Sequence, residues 1–510
     1  MGFNSGGGVT ARHVFVSAAA LVVLGFVAAC SPAPDLVPFP DPVNPVVTTE
    51  SPDTVGPLRM QGADLVDATG RVVLIHGINS VRKDAPYIST TEDGYLGPMD
   101  VEYLLNSGFN AVRLGVSYAG VMPTPGVVDE TYLDKVMDIV DLLSTQGLWV
   151  QLDFHQDVFH QMPDWATPAD AVDLSDETPP LLSFIGWAGR YLSDKSQRQW
   201  NSFLAGEPIV DGRSVASVLG DAAAELAKRA AGNDHVIGIE LLNEPVAGSE
   251  IIRCIFDGCP DTDQLLVKRY EEIAAPIRAV APEMPLWVEP FAPTGYAAFP
   301  MMQSLDVAPT SQGAQVGLAW HLYCKDTDGG KPEASEQPMV HICENRMING
   351  FESARSQAEL MGAPTGVAVP RMLNEFGASW DPLDVTLAMP IADEQFVSWM
   401  FWHMYRATSP YDTVIPDVVE SQIIRPYPQA TAGRPGALSY DPATGAFSYS
   451  YAPDSSIEAP TSIVVPARAY ANGYSATVTN GTITSAAQSG RLTVVPDGSG
   501  QQITVKLARR

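Results

Sequence analysis

Leu241-Leu242-Asn243-Glu244-Pro245 closes an apolar run, Val236 to Leu242, that follows a stretch of helical spacing from Ser214 to Ala231 and its stop signal Gly232. A strand that follows a helix and ends in polar residues is one β/α unit with its chemistry at the carboxyl end. The same ending recurs in Met372-Leu373-Asn374-Glu375-Phe376-Gly377. Two such glutamates suit the retaining hydrolysis of a glycosidic bond. One carboxylic acid protonates the leaving oxygen and a second carboxylate, roughly 5 to 5.5 Å away, attacks the anomeric carbon. A single glutamate at a strand end is more often an ordinary charged residue, so the reading depends on its company.

Seven further runs rich in β-branched or aromatic residues flank the first: Val72 to Ile78, Ala111 to Val116, Trp149 to Phe154, Pro285 to Pro290, Val316 to Tyr323, Arg371 to Phe376 and Phe396 to Trp402. Asp129 to Gln146 and Asp261 to Val280 repeat apolar residues at three- and four-residue spacing, with Gly147 as another stop signal. Eight strands alternating with helices predict an α/β fold, a (β/α)8 TIM barrel over residues 58–436.

Polar residues then collect where barrel chemistry gathers. Strand one ends in His76-Gly77-Ile78-Asn79 with Lys83 soon after, strand two holds Arg113, strand three ends in Asp153-Phe154-His155-Gln156-Asp157, and strand six in His321-Leu322-Tyr323. Period-two alternation places His155 with Asp157, and His321 with Tyr323, on common faces. Asn243 and Glu244 are neighbours and would face opposite ways in a regular strand; a twist or bulge before Pro245 would bring both to one cavity. Trp399 and Trp402 differ by three, which assigns Trp402 to the cavity and Trp399 to the core. Taken singly, His155, Arg113 or Trp402 would be a satisfied core residue and Lys83 a solvated charge. Together, polar strand ends make poor core material, because unpaired burial costs roughly 1 to 3 kcal/mol each.

The composition agrees. With 510 residues, 45% hydrophobic and 17% charged, the chain buries one large core with room for a second domain. A net charge of −29 would repel phosphate backbones, so no nucleic-acid partner is expected.

Arg12 and His13 precede sixteen mostly apolar residues, Val14 to Ala29, and then Cys30, so residues 1–30 read as a signal peptide. Val27-Ala28-Ala29-Cys30 resembles a bacterial lipoprotein signal in which Cys30 carries the lipid; a plain secretory signal and an uncleaved membrane anchor are the alternatives. In each case the protein is expected to be secreted or held at the cell surface. Residues 31–57 contain eight prolines and read as an extended tether. Of the four remaining cysteines, the local pairings Cys254 with Cys259 and Cys324 with Cys343 need the least rearrangement. No Cys-x-x-Cys or histidine at ligand spacing supports zinc, so no metal and no cofactor are expected.

The insertion from Val158 to Arg213 and the segment from Cys324 to Gly362 exceed ordinary connections and are expected to build a cavity rim. Phe159, Trp165, Phe184, Ile185, Trp187 and Trp200 either line an apolar wall there or pack the outside of the barrel. From residue 437 onward, short runs such as Ala446 to Tyr451, Thr461 to Val465, Ser475 to Thr479, Leu492 to Val495 and Gln502 to Leu507 predict a small C-terminal β-sandwich over 437–510.

Arg113, His155, Asn243-Glu244-Pro245, His321 with Tyr323, Glu375 and Trp402 resemble the active-site set of family 5 glycoside hydrolases. His76-Gly77-Ile78-Asn79-Ser80 with Lys83, and Leu152 to Asp157, are more specifically similar to the endoglycoceramidases of that family. The resemblance covers about residues 58–510 and implies cleavage of the β-glucosidic bond between an oligosaccharide and ceramide. It implies Glu244 as acid/base and Glu375 as nucleophile, with Asn243 on the sugar 2-hydroxyl and Tyr323 orienting the nucleophile. Lys83, His155, Asp157 and Trp402 would hold substrate, and Arg113 and His321 would support the site. The partners it implies are a glycosphingolipid and, through it or a lipid anchor, a membrane surface, with the enzyme a monomer.

For these roles, Arg113 near Glu375 is expected to favour its anion, and a less cationic setting to keep Glu244 protonated. A polysaccharide-active family 5 enzyme such as an endoglucanase or mannanase, a galactosylceramide-type endo-glycosidase and a non-catalytic sugar-binding lipoprotein are the competing readings.

Overall fold

The computed structural model describes residues 47–88, 96–180, 189–292, 305, 315–323, 337–377, 382–404 and 417–510, without the side chains of 337–342. The signal, most of the tether, Cys30, Cys324, Phe184, Ile185 and Trp187 lie outside the described residues.

Eight parallel strands close a barrel: β1 (His76–Ser80), β2 (Ala111–Val116), β3 (Trp149–Phe154), β4 (Val236–Glu240), β5 (Leu286–Val288), β6 (Val316–His321), β7 (Arg371–Glu375) and β8 (Ser398–Phe401). Each overlaps one of the eight predicted runs, β1 extending two residues past Ile78 to Ser80, and β2 and β3 have the predicted bounds. The amphipathic helix Glu130–Ser144 buries Leu133, Val136, Val140 and Leu143 along one stripe, because apolar residues three and four apart share a helix face. Asp129 caps it by accepting from the Tyr132 amide.

The first predicted strand is in fact two. Val72–Val73 pairs antiparallel with Ala430 and Thr431, while only His76–Ser80 enters the barrel. Periodicity marks both pieces as half-buried strand but cannot say which sheet each joins. Strands Arg59–Gln61, Asp64–Val66 and Val72–Val73 thereby form one seven-stranded antiparallel sheet with Tyr427–Thr431, Thr461–Val464, Gly481–Ile483 and Arg491–Pro496. A four-stranded sheet, Gly433–Asp441, Ala446–Pro453, Tyr474–Thr479 and Ile503–Arg509, lies beside it, and Thr431 and Tyr449 share a 2.7 Å hydrogen bond between the two sheets. The carboxyl-terminal strands of these sheets start at Tyr427, ahead of the expected 437.

The barrel floor is apolar. Trp149, Trp287, Met372 and Met400 fill its lower layer, with Leu58 and Met60 from the amino-terminal segment packed in the same cluster. Gln315 ties Met60 in place, donating to its carbonyl and accepting from its amide. Gly238 in β4 sits at φ +130, where a Cβ would come within 2.5 Å of the Pro285 carbonyl oxygen. Only glycine lets β4 and the chain entering β5 approach this closely. Trp399 is fully buried, as expected, stacked on His76 with ring centroids 4.1 Å apart. Phe159 and Trp200 are buried and meet edge to face, so they pack the fold rather than line a wall; Trp165 is half-buried with its indole N–H on the Met122 carbonyl. Cys254 and Cys259 are joined as expected, and Cys343 is disulfide-bonded as well.

Candidate active site

At the carboxyl end of the barrel the buried Arg113 guanidinium of β2 organises the polar residues. It reaches Glu375 Oε1 at 2.5 Å, Glu240 Oε2 at 2.8 Å, Asp153 Oδ1 at 3.1 Å and Glu289 Oε1 at 3.8 Å. It also donates to Asn79 Oδ1 and Asn243 Oδ1. Five planar donors make arginine suited to such a hub, and the surrounding carboxylates raise its pKa well above the ordinary value although burial opposes this.

Glu375 ends β7, and its two oxygens are held separately. Arg113 donates to Oε1, and the Tyr323 hydroxyl donates to Oε2 at 2.9 Å. A register shift at Trp320/His321 pairs His321 with Glu375 across β6 and β7. Glu244 lies beyond the last residue of β4 and has φ +42, a left-handed conformation rare outside glycine. This is the strand-end twist that brings Asn243 and Glu244 to the same cavity. His321 Nδ1 lies 2.8 Å from Glu244 Oε1 and 3.3 Å from Glu375 Oε2, and Tyr191 from the long insertion donates to Glu244 Oε2 at 3.3 Å. One oxygen from each glutamate and a His321 nitrogen all lie within 4.8 Å of one another. So close an approach is short of the roughly 6.5 to 9.5 Å gap of inverting glycosidases and is compatible with the retaining arrangement.

The other predicted residues stand around this pair. Lys83 Nζ is 2.6 Å from Asp157 Oδ2 and 4.8 Å from the centre of the Trp402 ring, a cation–π distance. His155 stacks on Trp402 at 5.4 Å and shares a 2.8 Å hydrogen bond with Asp153. Asn243 uses its oxygen on Arg113 and donates to the Gln156 carbonyl at 2.9 Å. All ten predicted site residues therefore fall in one region, and a cavity of about 370 Å³ adjoins it, lined among others by Lys83, Asp157, His160 and Arg190.

Sequence reasoning did not single out Glu240, Glu289 and Asn374, each fully or almost fully buried. Glu240 pairs with Arg113 and accepts from Asn374 Nδ2 at 2.6 Å, and Glu289 lies against His321. Their signal was present: a glutamate within or at the end of an apolar barrel strand is expensive unless an arginine on a nearby strand meets it.

The electrostatics of the open site differ from expectation. Burial pushes the Glu375 carboxyl above its ordinary range, and His321 and Arg113 offset only part of that rise. Burial also pushes Glu244 up, but the hydrogen bond and charge of His321 bring it below the ordinary value. The expected split is reversed because His321 is nearer to Glu244 than to Glu375. Nearby, burial lowers His155 but Asp153 and Asp157 raise it to about 9, and Lys83 and His155 hold Asp157 far below its usual range against burial. Among the described residues two sets of oxygen and nitrogen donors, Glu240 with Glu289 and His321, and Glu244 with His321 and Glu375, are close enough for a cation. Arg113 already serves Glu240 and Glu375 in these sets, so a metal would compete with its guanidinium.

Residues 100–407 match the cellulase (glycosyl hydrolase family 5) model, and residues 425–507 the glycoside hydrolase family 5 C-terminal domain model. Endoglycoceramidase I of Rhodococcus hoagii is 34% identical over 89% of this chain and 88% of its own. The endoglycoceramidase of Cyanea nozakii is 27% identical over 81% of this chain and 85% of its own. The solved structure of endo-glycoceramidase II from Rhodococcus sp. with ganglioside GM3 superposes with a TM-score of 0.71 at 24% identity, covering 88% of this chain and all of that one. The chain belongs to glycoside hydrolase family 5, and within it to the endoglycoceramidases.

Proposed function

We propose that this enzyme hydrolyses the β-glycosidic bond between the oligosaccharide and ceramide of glycosphingolipids, with retention, releasing intact glycan and ceramide. The observation that carries this reading is the meeting of Glu244 and Glu375 across His321, with carboxyl oxygens within 4.8 Å. Membership among the endoglycoceramidases supplies the substrate class.

In this mechanism Glu375, fixed by Arg113 and Tyr323, attacks the anomeric carbon as Glu244 protonates the departing ceramide oxygen. The carbon–oxygen bond to ceramide breaks, and an ester forms between the sugar and Glu375. Glu244, now a carboxylate, takes a proton from water, and that water displaces Glu375 to give the β-anomer. Lys83, Asp157 and Trp402 hold the first sugar, and the cavity toward His160 and Arg190 receives the next units of the glycan. Export through residues 1–30, with a lipid on Cys30 and the proline-rich tether, would present the site to a membrane.

Incubation of purified protein with a ganglioside, a galacto-series glycolipid and carboxymethylcellulose tests the substrate class. Ceramide and intact glycan are expected from the ganglioside. Reducing sugar from the cellulose, with ceramide from neither glycolipid, would instead identify a polysaccharide-active enzyme.

A further inference from the structure

Glu289, just past β5, is buried and has no part in the chemistry above. Its Oε1 lies 3.3 Å from His321 Nε2. The two atoms form no hydrogen bond in this arrangement, but a small rotation of either side chain would bring Nε2 and Oε1 into one. On its far side Glu289 shares a hydrogen bond with Glu240. The opposite nitrogen of the same imidazole, Nδ1, is the one 2.8 Å from Glu244. Four groups therefore stand in series: Glu240, Glu289, His321, Glu244.

Charge decides where a proton sits in this series. Asp153, Glu240, Glu289 and Glu375 all lie within 3.8 Å of one guanidinium. His155, 2.8 Å from Asp153, answers one of these charges, and the three carboxylates that remain against one arginine favour a proton on one of them, as in other paired carboxylates. Glu289 is the member farthest from Arg113 and is hydrogen-bonded to Glu240. Burial and Glu240 push it well above the ordinary carboxyl range, while Glu240 is held low by Arg113 against burial.

We propose that Glu289 is a positioning residue that acts through His321 to keep the acid/base Glu244 in its proton-bearing form. A neutral Glu289 that donates to Glu240 leaves Oε1 able only to accept. His321 then carries its proton on Nε2, and its bare Nδ1 accepts from the Glu244 hydroxyl, which removes the donation and positive charge by which a protonated His321 would hold Glu244 low. The opposite tautomer would donate to Glu244 and favour the carboxylate, the wrong state for the first step. In the second step the Nδ1 lone pair gives the Glu244 anion no stabilisation, which keeps it basic toward water. The other groups facing this relay are Tyr191, Lys83 and Asp157 on Glu244, Glu375 and Tyr323 beside Nδ1, and Arg113 and Tyr270 beside Glu289.

The inference rests on Glu244 as the acid/base, and azide rescue of Glu244→Ala on an activated glycoside tests that alone: a β-glycosyl azide upholds it. The tautomer is read directly by 15N NMR of histidine-labelled enzyme, with His321 assigned by its loss in His321→Asn. A protonated Nε2 and bare Nδ1 are expected, and a protonated Nδ1 near neutral pH overturns the proposal even where azide rescue succeeds. Glu289→Gln should behave like wild type, because its amide accepts from His321 and donates to Glu240 as the protonated acid does. Glu289→Leu should move the alkaline limb of kcat/KM about one unit lower and slow ganglioside about tenfold more than an aryl glycoside with a good leaving group. Equal losses on both substrates with no movement of the limb, or a Glu289→Gln variant whose limb moves as far, would contradict it.

Discussion

The Tyr323 hydroxyl donates to Glu375 Oε2 at 2.9 Å, on the side of the carboxylate that Arg113 leaves free. A hydrogen bond to a charged group contributes about 1.5 to 3 kcal/mol. Tyr323→Phe should therefore lower kcat/KM by roughly 10- to 150-fold with little change in thermal stability. Steady-state kinetics beside a melting curve would separate the two.

Arg113 matters to folding as well as to the site. Its removal would take from Glu240 and Glu375 the guanidinium that pairs with both, while Asp153 would keep only His155. Arg113→Met should cost about 3 to 5 kcal/mol of stability, read from chemical denaturation. A loss below about 1 kcal/mol would mean that those groups are not charged in the folded protein.

His155 and Asp157 give opposite pH dependences. The folded pKa of His155 is raised to about 9, so its contribution to stability is complete below its unfolded value of about 6.5 and is lost as pH rises through about 9. Asp157 is depressed, so its contribution is present above about 3.9 and is lost as pH falls through its folded pKa. Melting temperatures should fall on both sides of a plateau between about pH 4 and 6.5. His155→Gln should flatten the alkaline side, and an unchanged alkaline slope would count against the charge assigned to His155.

The two glutamates should fail differently. Glu375→Gln should abolish turnover while ganglioside still binds, since the nucleophile makes the covalent bond. Glu244→Gln should slow ganglioside far more than an aryl glycoside whose leaving group needs no proton. Equal loss on the two substrates would argue against Glu244 as the acid.

The barrel was legible because each strand is a short apolar run closed by polar residues, and the site was legible because those endings carry Glu244, Glu375, His155 and His321. What escaped was set by three-dimensional partners. Val72 and Val73 look like barrel strand, but their pairing with Ala430 and Thr431 depends on residues about 350 positions away. The strands beginning at Tyr427 and Gly433 hold Pro428, Gly433, Pro435 and Gly436, which read as turns; the first runs between two strands yet keeps its pairing around a register irregularity. Glu240 and Glu289 were hidden inside or beside apolar runs, where their charge makes sense only against Arg113 and each other. Phe159 and Trp200 could not be assigned to wall or core by composition, since both uses call for the same side chains.

The anomeric form of the first product bears most directly on the central claim that Glu375 forms a glycosyl-enzyme and Glu244 directs water to it. Proton NMR during hydrolysis of a ganglioside should show the β-anomer of the released oligosaccharide first, with the α-anomer growing only by mutarotation, and ceramide appearing at the same rate. An α-anomer formed first would contradict the account, because it requires a single displacement by water and leaves the Glu375 contacts without their proposed purpose.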